Sequence, residues 1–289
     1  LPELPEVETI ARSLRSGGVG GRNDLSIPGR RVKSASVLWD RTIAQPQPVE
    51  FEKRLVGQTV GEVGRRGKFL TIHFDRDILL VHLRMSGDLR VEPDEIQLNQ
   101  THDRVLVSFE DGIRLAFNDT RKFGRMWLTD QPEKVLGNLG LEPFDPTLDA
   151  EAFHQQISRH RRQLKPLLLD QSFLAGLGNI YTDEALHLAR LHPLVIASRL
   201  NFEQSSRLLQ AIRQVLSEGI QRNGASIDWV YRGGEFQNVF RVYQRTGQAC
   251  PVCGTFINRM VVGQRGTHYC PVCQSLEQPA AQRQEGAHG

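Results

Sequence analysis

The stretch CPVCGTFINRMVVGQRGTHYCPVC, residues 250–273, holds every cysteine of the chain. Two C-x2-C pairs lie 16 residues apart, within the spacing of a four-thiolate zinc site. Each pair presents two thiolates from a tight knuckle. Together Cys250, Cys253, Cys270 and Cys273 complete a closed tetrahedral shell with no position open for chemistry, so the metal expected is one structural Zn2+. The other reading of the same cysteines is two disulfides, which a reducing compartment disfavours. Between the pairs, FINRMVV and THYC read as two strands joined at GQRG, which puts Arg265 at a hairpin tip. A zinc-pinned hairpin with an exposed arginine at its turn suits a groove or a grip on phosphates. Taken alone, Arg265 fits a solvated turn equally well.

Upstream of this module the periodicity changes twice. PEVETIARSLR places Val7, Ile10, Ala11 and Leu14 on one helical face, with Pro5 in the first turn and Glu6 and Glu8 near the positive helix end, so a helix starts about four residues in. A glycine-rich break, SGGVGGRNDLSIPG, follows. From Val32 to Leu128 the pattern is one of short β runs. RVLVSFEDGIRLAFND is the clearest, two alternating strands joined at Asp111-Gly112. From DQPEKVLGNLGLEPFDP onward the period becomes helical, in LDAEAFHQQIS, QLKPLLLDQSFLAG, IYTDEALHLARL and FEQSSRLLQAIRQVLSEGI. Beyond Arg232 short β segments return around the cysteines, and the last residues form a polar tail without periodicity. The expected organisation is an α+β multidomain chain: an N-terminal β-sandwich over 2–130, a helical domain over 131–234, a zinc-ribbon β-hairpin over 235–274 and a disordered tail over 275–289.

Length and charge narrow the classes of function. At 289 residues the chain is long enough for a sizeable core without disulfide staples. With 36 Lys and Arg against 33 Asp and Glu the net charge is only +3, so a nucleic-acid surface has to come from local clustering. No stretch approaches the roughly 18 apolar residues of a membrane span, and the N-terminus has no basic region followed by an apolar one. The expectation is a soluble cytoplasmic monomer that uses no membrane.

Six motifs occur in one order along the chain: Pro2-Glu3-Leu4-Pro5-Glu6-Val7-Glu8, GRRGKFL at 64–70, HLRMSG at 82–87, NDTRKFGR at 118–125, GLGNIYTDEAL at 176–186, and the cysteine hairpin with QRGTHYC at 264–270. Together, from Pro2 to about Gln274, they resemble the formamidopyrimidine-DNA glycosylases, bifunctional enzymes that remove oxidised purines and then cut the DNA backbone. The resemblance implies a β-sandwich, a helix-two-turns-helix domain and a zinc ribbon. It implies double-stranded DNA with oxidised bases or abasic sites as the partner, at the bacterial nucleoid. By the same resemblance Pro2 is the nucleophile toward C1′ and Glu3 the acid that protonates the sugar ring oxygen. A secondary amine suits this chemistry, because its iminium carries a permanent positive charge that draws electrons during elimination. A carboxylate beside it is a plausible proton shuttle. Read alone, Pro2-Glu3 is a cap before a helix.

Lys68 is carried over as proton donor in β-elimination and as a phosphate contact, and Arg265 as a phosphate clamp and the donor for δ-elimination. A damaged base has to leave the duplex to be attacked, at a cost of a few kcal/mol of unstacking. The residues implied to fill the hole are Met85, a flexible wedge, Phe123, which stacks, and Arg121, which donates to the orphaned cytosine. In isolation Met85 and Phe123 read more often as core, but the flanking Ser86-Gly87, Arg121-Lys122 and Gly124-Arg125 favour exposed loops. His102 and Arg161 match the family's DNA contacts, and Lys165 and Asn179 its grip near the lesion. Asn179 is also placed to cap a helix after Gly176 and Gly178.

Three features depart from the pattern. Leu1 precedes the proposed nucleophile, and an acylated Pro2 nitrogen has no lone pair for attack. We expect Leu1 to be a literal translation of a non-standard start codon, with a mature chain that begins at Pro2. The connection between Tyr231 and Phe236 is shorter than in many family members, which predicts a weaker hold on 8-oxoguanine than on ring-opened formamidopyrimidines. The 16–29 segment is longer than usual. The alternatives are an endonuclease VIII-like glycosylase for oxidised pyrimidines, disfavoured by PELPEVE and TRKFG, and a non-catalytic damaged-DNA binder if Leu1 is retained.

Overall fold

The computed structural model describes residues 2–19, 25–94, 100–226 and 233–276. Leu1, part of the glycine-rich segment, Tyr231 and Arg232 at the start of the short connection, and all but the start of the expected tail lie outside the described residues. The chain divides into two compact units. One comprises residues 1–145, 170–178 and 213–239, the other 146–169, 179–212 and 240–289. The helical stretch expected over 131–234 is thus shared between them.

In the first unit, helix α1 (Leu4–Ser16) opens with Glu3 as N-cap and Pro5 in its first turn. Pro lacks the N–H that a first turn leaves unpaired anyway, so the chain becomes helical there at no loss of bonding. Val7, Ile10, Ala11 and Leu14 are fully buried on one face. Two sheets follow. The first contains β1 (Val32–Val37), β6 (Gly87–Pro93), β7 (Asp103–Phe109) and β8 (Ile113–Asp119) in the order β1-β7-β8-β6. The second contains β2 (Ile43–Gln45), β3 (Val60–Arg66), β4 (Phe69–Phe74), β5 (Ile78–His82) and β9 (Arg125–Thr129) in the order β2-β9-β5-β4-β3.

Alternation decides the register: Val105 pairs with Phe117 and Val107 with Leu115, so all four face one side. Their core is shared with Leu70, Ile72, Leu79, Val81 and Leu128 of the second sheet and with the apolar face of α1, which makes this half a β-sandwich. The β7–β8 hairpin turns at Asp111-Gly112, where Gly112 has φ +80°. A helix, α2 (Pro48–Leu55), interrupts the run expected to be all short strands. Its signal was two buried residues one turn apart, Phe51 and Leu55, behind a proline, a pattern too short to stand out among β-branched neighbours. A single turn, α3 (Glu133–Leu136), ends the continuous part of this unit.

The second unit is built from α4 (Ala150–Ile157), α5 (Leu164–Leu168), α6 (Asn179–Leu188), the first half of α7 (Phe202–Gln221) and the cysteine module. Asp149 caps α4 by accepting from the Ala152 N–H at 2.8 Å. The segment QLKPLLLDQSFLAG, expected to be helical throughout, is helical only over α5. Asp170 then accepts from both the N–H and the hydroxyl of Ser172, at 3.0 and 2.6 Å, a local competitor that ends helical bonding. Turns at 171–173 and 175–176 lead to α6, the succession of a helix, two turns and a helix. Strands β10 (Asn258–Val262) and β11 (Arg265–Tyr269) pair antiparallel around Gly263-Gln264, both at positive φ, which matches the right-handed twist of a two-residue hairpin. Among the described residues no helix is long and apolar enough to cross a membrane.

Candidate active site and metal centre

The residues singled out in the sequence fall on both units. On the first, Pro2 and Glu3 are buried at the head of α1. The Glu3 N–H donates to Glu6 Oε2 at 2.7 Å, and the reciprocal bond completes a capping box. Glu3 does more than cap. Its Oε2 accepts from the Gly178 N–H at 2.6 Å, and a Cβ on residue 178 would lie 2.3 Å from the Glu3 carboxyl carbon. The Leu4 N–H donates to the Gly176 carbonyl at 3.0 Å, and Glu6 Oε1 accepts from the Ala225 N–H at 2.7 Å. The head of the chain is therefore held by backbone from segments more than 170 residues away in sequence.

Lys68 sits in the two-residue turn between β3 and β4, after Gly67 at φ +57°, and only 7% of it is exposed. Its neighbours Arg65 and Arg66 are committed elsewhere. Arg65 bonds Glu142 at 2.6 Å and Glu8 at 3.1 Å, Arg66 bonds the Gly140 carbonyl at 2.6 Å, and the Gly67 N–H donates to Glu142. The three cations of the motif thus act differently: the arginines brace the turn that presents the lysine. Beside it, burial and then the Arg84 and Lys68 cations push His82 down to about 3, so its ring is neutral. Nδ1 of His82 accepts from the Arg84 N–H at 3.0 Å, which leaves the hydrogen on Nε2.

Met85 and Phe123 stand 41% and 48% exposed on loops rather than in the core, and Arg121 is exposed with its guanidinium 5.0 Å from the centre of the Phe123 ring. His102 is half-buried, its Nδ1 3.4 Å from Arg104. Ser86 and Asp119, to which sequence reasoning assigned no role, join the two loops that carry Met85 and Arg121.

On the second unit, Arg161 is exposed before α5 and Arg265 is exposed at the first position of β11, opposite Val262. Lys165 is fully buried, its ammonium paired with Asp183 and 3.5 Å from the Gly266 carbonyl. In the free protein this ammonium braces the hairpin beside Arg265. Asp183 is the residue that decides it: its other oxygen accepts from the His268 N–H at 2.9 Å and lies 3.2 Å from the ring Nδ1. Asn179 donates to the same Gly266 carbonyl at 3.0 Å, while its Oδ1 is buried without a partner among the described residues. Glu184 accepts from three successive N–H groups, those of Arg241, Val242 and Tyr243, at 2.8, 2.9 and 2.9 Å. Burial pushes its carboxyl above the usual range against the pull of those bonds.

The four cysteine sulfurs lie within 4.8 Å of one another, with Cys253 and Cys270 at 3.4 Å and Cys250 and Cys273 at 3.9 Å. None is in a disulfide. Four sulfurs about 2.3 Å from a tetrahedral metal stand about 3.8 Å apart, so the cluster fits one zinc ion. N–H groups of Val252 and Cys273 point at Cys250 and Cys270 from the knuckles, and His187 Nε2 lies 3.4 Å from Cys250, partners suited to thiolate charge.

A sandwich with a clamped N-terminal Pro-Glu head, a helix-two-turns-helix and a four-cysteine ribbon define a zinc-containing DNA-repair class. The chain belongs to the formamidopyrimidine-DNA glycosylase family. Residues 1–126 match that family's N-terminal domain, 139–230 its H2TH domain and 247–276 the zinc finger found in FPG and IleRS. Formamidopyrimidine-DNA glycosylase of Protochlamydia amoebophila is 38% identical over 271 residues, covering 91% of this chain and 95% of the relative. That of Halalkalibacterium halodurans is 40% identical over 272 residues, with coverage of 91% and 95%. Among solved structures, Lactococcus lactis Fpg in complex with DNA containing N7-benzyl-Fapy-dG superposes with a TM-score of 0.86 at 35% identity, covering 95% of this chain and all of the other. Its complex with abasic-site DNA gives 0.85 at 35% identity, with coverage of 94% and 99%.

Two outcomes follow from this geometry. The unfolded chain takes up a proton at His82 near pH 6.5 and the native chain only near pH 3. The stability contribution of the neutral ring is therefore complete above about pH 6.5 and is lost as pH falls below it. The His82 ring resonances should stay flat in an NMR titration from neutral pH to about pH 4, and a midpoint near the ordinary histidine value would contradict the assignment. Removing zinc should abolish amide protection across β10 and β11, since structural zinc supplies roughly 10–16 kcal/mol in small modules. Hydrogen exchange in that hairpin that is unchanged after verified metal loss would refute a structural role.

Proposed function

We infer that this chain is a bifunctional DNA glycosylase and abasic-site lyase of base excision repair, acting on oxidised purines, formamidopyrimidines and 8-oxoguanine, in double-stranded DNA. The clamp on the Pro2-Glu3 head carries the reading: a helix cap needs one bond from the Glu3 side chain, and here that carboxylate also reaches Gly178 while Glu6 and Leu4 anchor the flanks. Such restraint suits a nucleophile that has to meet C1′ at a fixed distance.

In the proposed mechanism the Pro2 nitrogen attacks C1′ of the extruded nucleotide, and the C1′–base bond breaks as the base leaves with the proton that the amine sheds. Glu3 delivers a proton to the sugar ring oxygen, the ring opens, and an iminium joins Pro2 to C1′. Loss of a C2′ proton expels the 3′ phosphate by β-elimination, with Lys68 as the proton donor, and δ-elimination expels the 5′ phosphate with Arg265 as the donor. The brace of Arg65, Arg66 and Glu142 fixes the turn from which Lys68 acts. Met85 and Phe123 enter the space left by the flipped base, where their exposure in the free protein suits them, and Arg121 reads the orphaned cytosine. His102 and Arg161 contact the backbone. An amide carries two N–H hydrogens, so Asn179 keeps one for phosphate beyond the one on Gly266. Lys165, held by Asp183 beside the Arg265 strand, contributes to the grip near the lesion.

The four cysteines hold one structural zinc, and the ion supports the hairpin without entering the reaction. On this reading the protein works as a monomer in the bacterial cytoplasm, at the nucleoid.

Glu3→Gln should suppress excision of 8-oxoguanine by about 100-fold or more, the range of a lost general acid, while some cleavage of a ready-made abasic site persists. Equal excision rates for variant and parent in a single-turnover assay would rule out the assigned role.

A further inference from the structure

Met85, Arg121 and Phe123 gain little from packing in the free protein, so their positions have to be set through the backbone. Asp119, at the end of β8 and 1% exposed, does this. Its carboxylate takes three dipolar donors. One is the Ser86 hydroxyl, next to Met85. The second is the Arg121 N–H at 3.1 Å, which Ser86 Oγ also receives at 3.1 Å. The third is the Gly124 N–H, next to Phe123, at 2.7 Å. The Asp119 carbonyl in turn accepts from Arg104 Nε at 2.8 Å. Beneath the knot lies the Phe117 ring. A Cβ would come within 2.9 Å of it at Gly87 and 2.3 Å at Gly124, so both loops press on the ring as bare backbone.

We propose that Asp119 is a positioning residue that ties the 84–87 and 120–124 loops into one rigid wedge and thereby sets discrimination for the base opposite the lesion. The proposal rests on the reading of Arg121 given above. Asp119 is buried and touches no DNA itself. A carboxylate is required because both oxygens accept. An asparagine has to turn its NH2 toward either the Gly124 N–H or the Arg121 N–H, donor against donor. With the knot loosened, the Arg121 guanidinium samples more than one distance from the orphaned base, and a pair of hydrogen bonds that depends on fixed geometry loses its selectivity.

The test is the ratio of kcat/KM for 8-oxoguanine opposite cytosine to that opposite adenine, measured for the parent, D119N, S86A and R121A. The ratio cancels any difference in active fraction, which a purely structural defect would change. D119N should lower it by about tenfold, toward the R121A value, and S86A should move it the same way by less. If R121A lowers the ratio while D119N and S86A keep the parental one, the proposal is overturned and the reading of Arg121 stands. An unchanged ratio in R121A overturns both. Should D119N fail to fold, S86A, which deletes a single hydroxyl, decides alone.

Discussion

The bond from the Gly178 N–H to the Glu3 carboxylate is the constraint on which the proposed chemistry depends. It joins the second described residue of the chain to a turn in the helical region, and it forces glycine at 178 because any side chain there would occupy the carboxyl group. Glu6 repeats the device one turn later, with Gly224 and Ala225. Two buried carboxyl groups are thus fixed in place by backbone N–H groups, whose direction the fold itself sets.

The second unit uses the same economy of charge. Asp183 takes up Lys165 and His268, and Glu184 takes up the N–H groups of residues 241–243, so the segment that leads into the cysteine module and the hairpin within it are tied to α6. Both carboxylates are fully buried. Removing one partner from a buried ion pair costs about 3–5 kcal/mol, because the other is left charged and dry. The Gly266 carbonyl receives both Lys165 and Asn179, which fixes the backbone beside Arg265 while its side chain stays exposed. Zinc closes the hairpin from one side and this network from the other.

What the sequence made legible was what has a local signature. The cysteine spacing, the apolar face of α1, the alternation in β7 and β8 and the turn at Asp111-Gly112 are all set within a few residues, and each was readable. What it hid was decided by distant partners. Nothing local marks Lys165 as buried, because its partner is 18 residues on. The cluster of Arg65, Arg66 and Lys68 looks like a uniform basic patch until Glu142, 77 residues from Arg65, claims the arginines. Ser86 and Asp119 read as ordinary loop and strand-end residues, 33 positions apart. The helix α2 was hidden by its shortness. The residues proposed to face DNA were legible only through the order of the six motifs.

The central claim is that the amine of Pro2 does the chemistry, and borohydride trapping tests it most directly. The protein, prepared with Pro2 as its first residue, is mixed with a duplex containing 8-oxoguanine opposite cytosine in the presence of borohydride, and the product is mapped by mass spectrometry. A covalent adduct on the Pro2 nitrogen is expected. An adduct on a lysine, or none from a chain with Pro2 free, would contradict it.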